Sequence, residues 1–193
     1  MIIIGLTGSI GMGKTTTADL FRQAGLPVFD ADATVHALYQ GPLVPDIEAA
    51  FPGTTTEGRV DRARLAERLS GDGDAFRRLE AIVHPAVRRA EADFLARSRA
   101  AGAPAVVLDI PLLFETGRQG DVDKTVVVSA PAEVQRARVL SRPGMTEEKF
   151  EALLARQMPD AEKRARADFV IPSGDGIAAA KASVEAFLRQ LLS

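Results

Sequence analysis

A glycine-rich segment that ends in lysine and threonine carries the strongest chemical signal in the sequence. Residues 8–15 read Gly-Ser-Ile-Gly-Met-Gly-Lys-Thr and fit the phosphate-loop pattern G-x-x-x-x-G-K-[ST]. Glycines let the backbone curl so that its N–H groups point at phosphate oxygens, the lysine adds a positive charge, and the threonine hydroxyl can ligate Mg²⁺. The pattern predicts that a nucleotide phosphate chain is bound by Gly8, Gly11, Met12, Gly13, Lys14, Thr15 and Thr16.

This loop alone leaves the reaction open, because kinases, GTPases and motor ATPases share it, and glycine-rich turns also serve tight packing in other α/β proteins. The sequence contains no Asn, so it lacks the Asn-Lys-x-Asp segment with which GTPases usually recognise guanine. Helicase and transporter ATPases tend to be longer and to carry an acidic pair after a hydrophobic strand, whereas Asp109 is followed here by Ile-Pro. These differences favour a small kinase.

Asp109 follows the apolar residues 105–108 and is the candidate for a second magnesium-binding side chain. Opposite Thr15, it would hold Mg²⁺ through water, as carboxylates do in phosphate-loop enzymes. The alternative is an aspartate that only caps a strand end or a helix start.

Two nearby aspartates, Asp30 and Asp32, follow a second apolar run at residues 27–29. In a small kinase, a carboxylate here can accept the proton of the acceptor hydroxyl and orient its oxygen toward the γ-phosphorus. Carboxylates two residues apart point in different directions, so we expect Asp32 to be the base and Asp30 to support it. The alternative is that Asp32 only caps the helix that begins near residue 33.

Polar side chains form a stripe along the helix that we expect after Pro131. Gln135, Arg138 and Arg142 recur at i, i+3 and i+7, which places them on one helix face. Arginines on one face suit a lid that closes over the nucleotide, stabilises charge on the transferred phosphoryl group and excludes water. The competing interpretation is an ordinary solvated face of an arginine-rich chain.

His84 precedes Pro85 inside a helical pattern, where proline should interrupt or kink the helix. A histidine at such a position either lines an acceptor pocket or bonds a nearby backbone group. The residues alone leave both interpretations open.

The apolar pattern predicts the elements that position these side chains. Five short runs rich in Ile, Val or Phe lack alternation, which is typical of strands buried on both faces. Helical stretches separate them, so we expect an α/β fold: a phosphate-loop-kinase-type parallel sheet of about five strands with helices on both faces. Residues 33–101 contain no convincing strand, which predicts an inserted helical region. The strands are predicted at residues 2–6, 27–29, 105–108, 125–128 and 169–171, and helices outside the insertion at 15–24, 132–141, 146–157 and 177–192.

The amino-acid composition further limits the number of domains and the functions that the chain could have. The 193 residues, 46% of them hydrophobic, suit one domain. With 24 basic and 26 acidic side chains the net charge is −2, which offers no positive field for nucleic acid. The absence of cysteine removes disulfides and thiolate ligands, so a metal would need oxygen ligands. No stretch approaches the ~20 apolar residues of a membrane span and no signal-peptide pattern is visible, so we expect a cytoplasmic protein.

The order of these motifs resembles the dephospho-coenzyme A kinase family from residue 3 to about residue 174. The segments that carry the resemblance are the phosphate loop with its strand at 5–15, Asp-Ala-Asp at 30–32, Gly-Arg-Val-Asp-Arg at 58–62, Leu-Glu-Ala-Ile-Val-His-Pro at 79–85, Pro-Leu-Leu-Phe-Glu at 111–115, Gln135 with Arg138 and Arg142, Gln157, and Ala-Asp-Phe-Val-Ile at 167–171. Two positions depart from the family pattern. Leu153 stands where the family often has Arg, and Ser173 stands where it usually has Asn.

The resemblance implies transfer of the ATP γ-phosphoryl group to the ribose 3′-hydroxyl of dephospho-coenzyme A, the final step of coenzyme A biosynthesis, with Mg²⁺. It implies that Lys14, Asp32, Arg138 and Arg142 are catalytic, that Arg142 also contacts ATP, that Thr15 and Asp109 hold the metal, and that Asp32, His84, Leu112, Leu113, Phe114 and Glu115 border the acceptor. The expected partners are ATP and dephospho-coenzyme A, with no nucleic acid, membrane or obligate protein partner.

The same resemblance implies a division of the single domain, residues 1–193. A nucleotide core is expected at 1–32, 102–137 and 167–193, a helical acceptor-binding insertion at 33–101 and a lid at 138–166.

Two other functions fit the residues: another small-molecule or nucleoside monophosphate kinase, and a nucleotide-dependent regulatory binding module. The first differs in the acceptor that supports ADP formation, and the second predicts ADP release without any acceptor.

Overall fold

The computed structural model describes residues 1–192, so Ser193, the last residue of the expected core, lies outside the described residues. The strands are β1 (Ile2–Thr7), β2 (Val28–Asp30), β3 (Thr55–Thr56), β4 (Arg59–Val60), β5 (Ala105–Asp109), β6 (Lys124–Ser129) and β7 (Phe169–Pro172). The helices are α1 (Lys14–Gln23), α2 (Ala31–Leu38), α3 (Val44–Ala50), α4 (Arg62–Leu69), α5 (Gly73–Ala100), α6 (Ala132–Leu140), α7 (Glu147–Leu154), α8 (Asp160–Arg166) and α9 (Ile177–Leu192), with a 3₁₀ turn at Arg118–Asp121.

Five strands form one parallel sheet in the order β2-β5-β1-β6-β7. The central strand β1 pairs with β5 on one side and β6 on the other, so that Ile4 lies opposite Val107 and Lys124. All five residues of β5 are buried, which explains their continuous apolar pattern, because both faces of the sheet are covered. The predicted α/β fold with about five parallel strands is confirmed.

Helices α1 and α9 pack against each other and against one face of this sheet. Phe21 of α1 is fully buried and meets Phe187 of α9 edge-on, with ring centroids 6.2 Å apart. Phe187 in turn lies 4.9 Å from the ring of Phe169 on β7. The three aromatic rings therefore join both helices to the sheet that carries the phosphate loop.

Strand β7 is tied to β6 by Asp168, the residue directly before it. The Asp168 carboxylate accepts hydrogen bonds from the backbone N–H and the hydroxyl of Thr125 at 2.7 and 2.8 Å, and its own N–H donates to that hydroxyl at 3.0 Å. Burial raises the pKa of the Asp168 carboxyl, but these bonds and the charge of Lys124 outweigh burial and hold the pKa below its ordinary value. The Ala-Asp-Phe-Val-Ile segment thus fixes the register of an edge strand.

Residues Asp30–Arg97 form a separate compact unit with its own apolar core. Its core residues are Leu43, Ile47, Phe51, Val60, Leu65, Ala75, Leu79 and Val83. The expectation of no strand in this region is wrong, because β3 and β4 form a short antiparallel hairpin. Glu57 and Gly58 both have positive φ, 53° and 74°, as the tight turn of a two-residue hairpin requires.

Proline does not end the long helix of this unit. Helix α5 continues through Pro85, so the interruption that the sequence suggested does not occur. Leu79 and Val83, in the two turns before the proline, are buried in the core of the unit. Their burial holds the helix where proline removes one backbone hydrogen bond.

Helix α8 has no counterpart among the helices predicted from the sequence. It is only seven residues long, begins after Pro159 and consists mostly of charged side chains. Such a segment lacks the apolar stripe that predicts a surface helix. Across residues 1–192, no helix has the length and apolar character that a membrane crossing needs.

We expect Phe21→Ala to lower the free energy of unfolding by about 3–5 kcal/mol, because it opens a cavity beside α9 and the sheet. Phe76→Ala is the matched control, since Phe76 is 51% exposed and its loss should cost less than about 0.5 kcal/mol. Urea denaturation of both variants measures the difference. Equal stability of the two variants would contradict this packing.

Candidate active site

The phosphate loop joins β1 to α1, and its two middle glycines give it its shape. Gly11 and Gly13 have φ values of 78° and 89°, in the left-handed region that other residues rarely adopt. Gly13 is the N-cap residue of α1 and offers no side chain to the helix end. The first N–H groups of α1, at Lys14, Thr15 and Thr16, have no partner within the helix and point toward its N-terminal end. N–H groups in this arrangement can bind phosphate oxygens.

The loop also has no room for side chains at two of its glycines. A Cβ atom at Gly8 would lie 2.8 Å from the Val128 carbonyl oxygen. A Cβ atom at Gly11 would lie 2.5 Å from Cγ2 of Val139 and 3.0 Å from the Gln135 carbonyl oxygen. The glycines are therefore required by close packing behind the loop as well as by its backbone conformation.

Two glutamines fix Ile10 within the loop. The Ile10 N–H donates to Gln157 Oε1 at 3.0 Å, and the Ile10 carbonyl accepts from Gln135 Nε2 at 2.8 Å. Gln135 lies on α6 and is buried, and Gln157 follows α7. Because both backbone groups of Ile10 are satisfied by side chains, this part of the loop cannot turn toward another conformation without losing two hydrogen bonds.

Ser173 and Arg138 fix the other end of the loop. The buried Ser173 hydroxyl donates to the Met12 carbonyl at 2.6 Å. Arg138 donates to the Ser173 hydroxyl at 2.9 Å, to the Ser173 carbonyl at 2.6 Å and to the Gly11 carbonyl at 3.5 Å. Arg138 therefore connects α6 to the loop backbone, whereas Arg142, one turn later, is exposed.

Lys14 and Asp109 form an ion pair at the base of the loop. The Asp109 side chain is 4% exposed and that of Lys14 is 16% exposed, so the pair is largely shielded from water. The parallel strands β1 and β5 are neighbours and end side by side. This places Lys14, which follows the last glycine of the loop, next to Asp109, the last residue of β5. The lysine is held where a phosphate chain on the loop would meet its charge.

The oxygen atoms near this pair fit Mg²⁺. Thr15 is exposed at the start of α1, and Asp109 supplies a carboxylate, which together are the hard ligands that Mg²⁺ prefers. Among residues 1–192 no cluster of three or more His, Cys, Asp or Glu side chains could hold a metal ion. A magnesium ion that arrives with nucleotide needs only one or two protein oxygens, because phosphates and water provide the rest.

The two aspartates after β2 have different surroundings. Asp30 is the N-cap of α2, and its carboxylate accepts from the Ala33 N–H at 2.9 Å. Asp32 lies in the first turn of α2 and is exposed. The capping role that was an alternative for Asp32 is therefore filled by Asp30. His84 is an exposed residue of α5 in the same unit.

The segment after β5 is mostly buried. Leu113 is fully buried and Phe114 nearly so, whereas Leu112 is 39% exposed. The Glu115 carboxylate accepts from the Met158 N–H at 2.9 Å and pairs with Lys163 at 2.7 Å. Burial raises the pKa of the Glu115 carboxyl, but the Lys163 and Met158 contacts outweigh burial and the pKa lies below its ordinary value. Of these four side chains, Leu112 is the most open to solvent.

Lys163 and the contacts of Gln157 and Ser173 did not follow from the sequence analysis. Lys163 stands in a run of charged residues, which usually indicates a solvated face, yet it is fully buried. Gln157 and Ser173 were noticed only as positions in a family pattern. Their hydrogen bonds reach residues more than a hundred positions away, so no local spacing reveals them.

Comparison with known proteins gives the following relatives. The family model described as CoaE, dephospho-CoA kinase, matches residues 2–180. The dephospho-CoA kinase of Mesorhizobium japonicum is 62% identical over 99% of this chain and 97% of its own. The crystal structure of TT1252 from Thermus thermophilus has a TM-score of 0.84 at 40% identity, over 98% of this chain and 97% of its own. The dephospho-CoA kinase structure from Campylobacter jejuni, at 22% identity, a TM-score of 0.71 and coverage of 98% and 96%, shares the fold.

We expect Gly11→Ala to weaken ATP binding at least about tenfold, because a Cβ atom there meets Val139 and Gln135 and deforms the loop. Gly25→Ala is the control: Gly25 also has positive φ, 87°, but its added Cβ would have nothing within 4 Å. Calorimetric titration with ATP compares the two variants. Similar affinity in both would show that close packing behind the loop does not control nucleotide binding.

Proposed function

The chain belongs to the dephospho-CoA kinase family, and on that premise we propose how its own residues transfer the ATP γ-phosphoryl group to the ribose 3′-hydroxyl of dephospho-CoA. The observation that carries the proposal is the phosphate loop, whose backbone is bonded by the side chains of four residues outside it and whose Lys14 pairs with Asp109. Such a loop binds the phosphate chain of ATP and leaves its terminal group accessible at the carboxyl end of the sheet.

Binding of ATP begins with the loop N–H groups and Lys14. Lys14 neutralises charge on the β- and γ-phosphate oxygens, and the dipole of α1 adds to it. Gly8, Met12 and Thr16 complete the proposed contacts around the phosphate chain. Thr15 and Asp109 would hold Mg²⁺, which would supply positive charge against the phosphate chain of ATP.

Asp32 is the proposed base for the acceptor hydroxyl. It lies in the first turn of α2, two residues after the end of β2, and its side chain is exposed and does not cap α2. As the 3′-oxygen forms its bond to the γ-phosphorus, Asp32 takes the hydroxyl proton and the bond to the β–γ bridging oxygen breaks, releasing ADP. His84, Leu112, Leu113, Phe114 and Glu115 are proposed to border the acceptor.

The proposal also assigns the three parts of the chain. Residues 1–32, 102–137 and 167–193 form the nucleotide core, residues 33–101 bind the acceptor, and residues 138–166 act as the lid. Arg138 and Arg142 stabilise charge on the transferred phosphoryl group. Arg138 is held beside the loop by its contacts with Gly11 and Ser173, whereas Arg142 is exposed, as suits a side chain that closes over a bound nucleotide. We place this reaction in the cytoplasm.

An assay of ADP release with ATP and a panel of acceptors tests the function. Dephospho-CoA should support turnover well above the rate without acceptor, while shikimate, CMP and AMP should not. Preferred use of CMP or AMP would identify a nucleoside monophosphate kinase. ADP release that no acceptor stimulates would instead indicate a nucleotide-dependent regulatory module.

We expect Asp32→Asn to lower turnover with dephospho-CoA at least ~10²-fold, because an amide cannot accept the hydroxyl proton. ATP affinity should remain nearly unchanged, since Asp32 is not among the loop contacts. Asp46→Asn is the control, because Asp46 is also an exposed aspartate in the first turn of a helix. Steady-state kinetics and ATP titration measure both variants. Normal turnover of Asp32→Asn would remove this residue from the chemistry.

A further inference from the structure

Glu115 and Lys163 form a buried ion pair that none of the catalytic steps above uses. Lys163 is fully buried, the Glu115 side chain is 15% exposed, and Lys163 Nζ lies 2.7 Å from Glu115 Oε1. Burying two charges costs solvation free energy, and the attraction between the charges often does not offset that cost. Apolar side chains in the same space would stabilise the fold at least as much. Packing alone is therefore a weak reason for the pair.

The hydrogen bonds around the pair are also incomplete. Glu115 Oε1 accepts from the Met158 N–H, but Glu115 Oε2 is buried and has no hydrogen-bond partner within residues 1–192. A buried acceptor without a partner lowers stability. The ion pair therefore contributes little to the stability of the fold. We infer that its role is to hold in place the groups that it joins.

The groups joined by the pair belong to two different parts of the site. Met158 binds Glu115 through its backbone N–H, and the preceding residue, Gln157, binds Ile10 of the phosphate loop. Two consecutive residues therefore bond the loop on one side and the segment 111–115 on the other. Lys163, one turn into α8, fixes the Glu115 end of this connection.

We propose that Glu115, Lys163 and Gln157 are positioning residues that set the distance between the phosphate loop and the segment 111–115, which the proposed function assigns to the acceptor. The inference rests on that function and changes the role of Glu115. The Glu115 carboxylate binds Lys163 and the Met158 N–H and does not itself contact the acceptor. Leu112, the exposed side chain of the segment, is the residue proposed to meet the acceptor.

A double variant, Glu115→Leu with Lys163→Met, tests the proposal. Removal of both charges leaves no unpaired ion, which offsets the hydrogen bond that the Met158 N–H loses, so the melting temperature should stay close to that of the unmodified protein. The Met158 N–H loses its acceptor, and kcat with dephospho-CoA should fall about 10- to 100-fold, because small misplacements of reacting groups have effects of this size. The KM for ATP should stay within about twofold, since the loop contacts remain. A stable double variant with unchanged kcat would overturn the proposal.

Gln157→Met provides a second test if the double variant fails to fold. It removes the acceptor of the Ile10 N–H and keeps the ion pair, and kcat should again fall about tenfold or more in a folded protein. Unchanged kcat in this folded variant would overturn the proposal equally. The matched control replaces an exposed pair, Asp19→Asn with Arg22→Met, whose side chains are 55% and 39% exposed, and should leave kcat unchanged. The unmodified protein in the same assay tests the proposed function separately, because its failure to use dephospho-CoA refutes that function and not the geometry.

Discussion

The fixed backbone of the phosphate loop is the constraint on which the rest of the structure depends. Several N–H groups must point in one direction, and glycines that allow this shape also allow many others. The fold removes that freedom with side chains from outside the loop: Gln135 and Gln157 at Ile10, and Ser173 at Met12. Because the loop is ordered when the chain folds, little conformational entropy is lost when a phosphate chain binds.

The sequence predicted the sheet and the loop because both depend on local patterns. Continuous apolar runs such as residues 105–108 indicate strands that are buried on both faces, and helix α9 begins and ends where its apolar repeat predicted. The glycines and Lys14 have a fixed spacing because they lie on one continuous stretch of backbone. The sequence also predicted that Asp30 and Asp32 point in different directions, and in the structure Asp30 caps α2 while Asp32 does not. The catalytic role of Asp32 stays a prediction.

The interactions that complete the site were not visible in the same way. Arg138 looks like one member of an arginine stripe, yet it bonds Ser173, 35 positions away. Lys163 looks like a solvated charge and is fully buried, because α8 packs beside β6. The hairpin of β3 and β4 has two residues in each strand, too few for an alternating pattern. In each case the deciding partner comes from tertiary structure, which neither propensity nor spacing encodes.

The two edge strands of the sheet, β2 and β7, affect how readily the protein aggregates at high concentration. Edge strands leave a row of backbone groups unpaired, and long, flat edges recruit strands from other molecules. Here one edge is β2, with three residues, and the other is β7, with four, which begins after the charged Asp168 and ends at Pro172, a residue with no N–H to donate. Edges this short, one of them ending in proline, offer little template for intermolecular β-aggregation. The Ile, Val and Phe side chains of the sheet are buried or partly buried, so the folded chain is not prone to form fibrils.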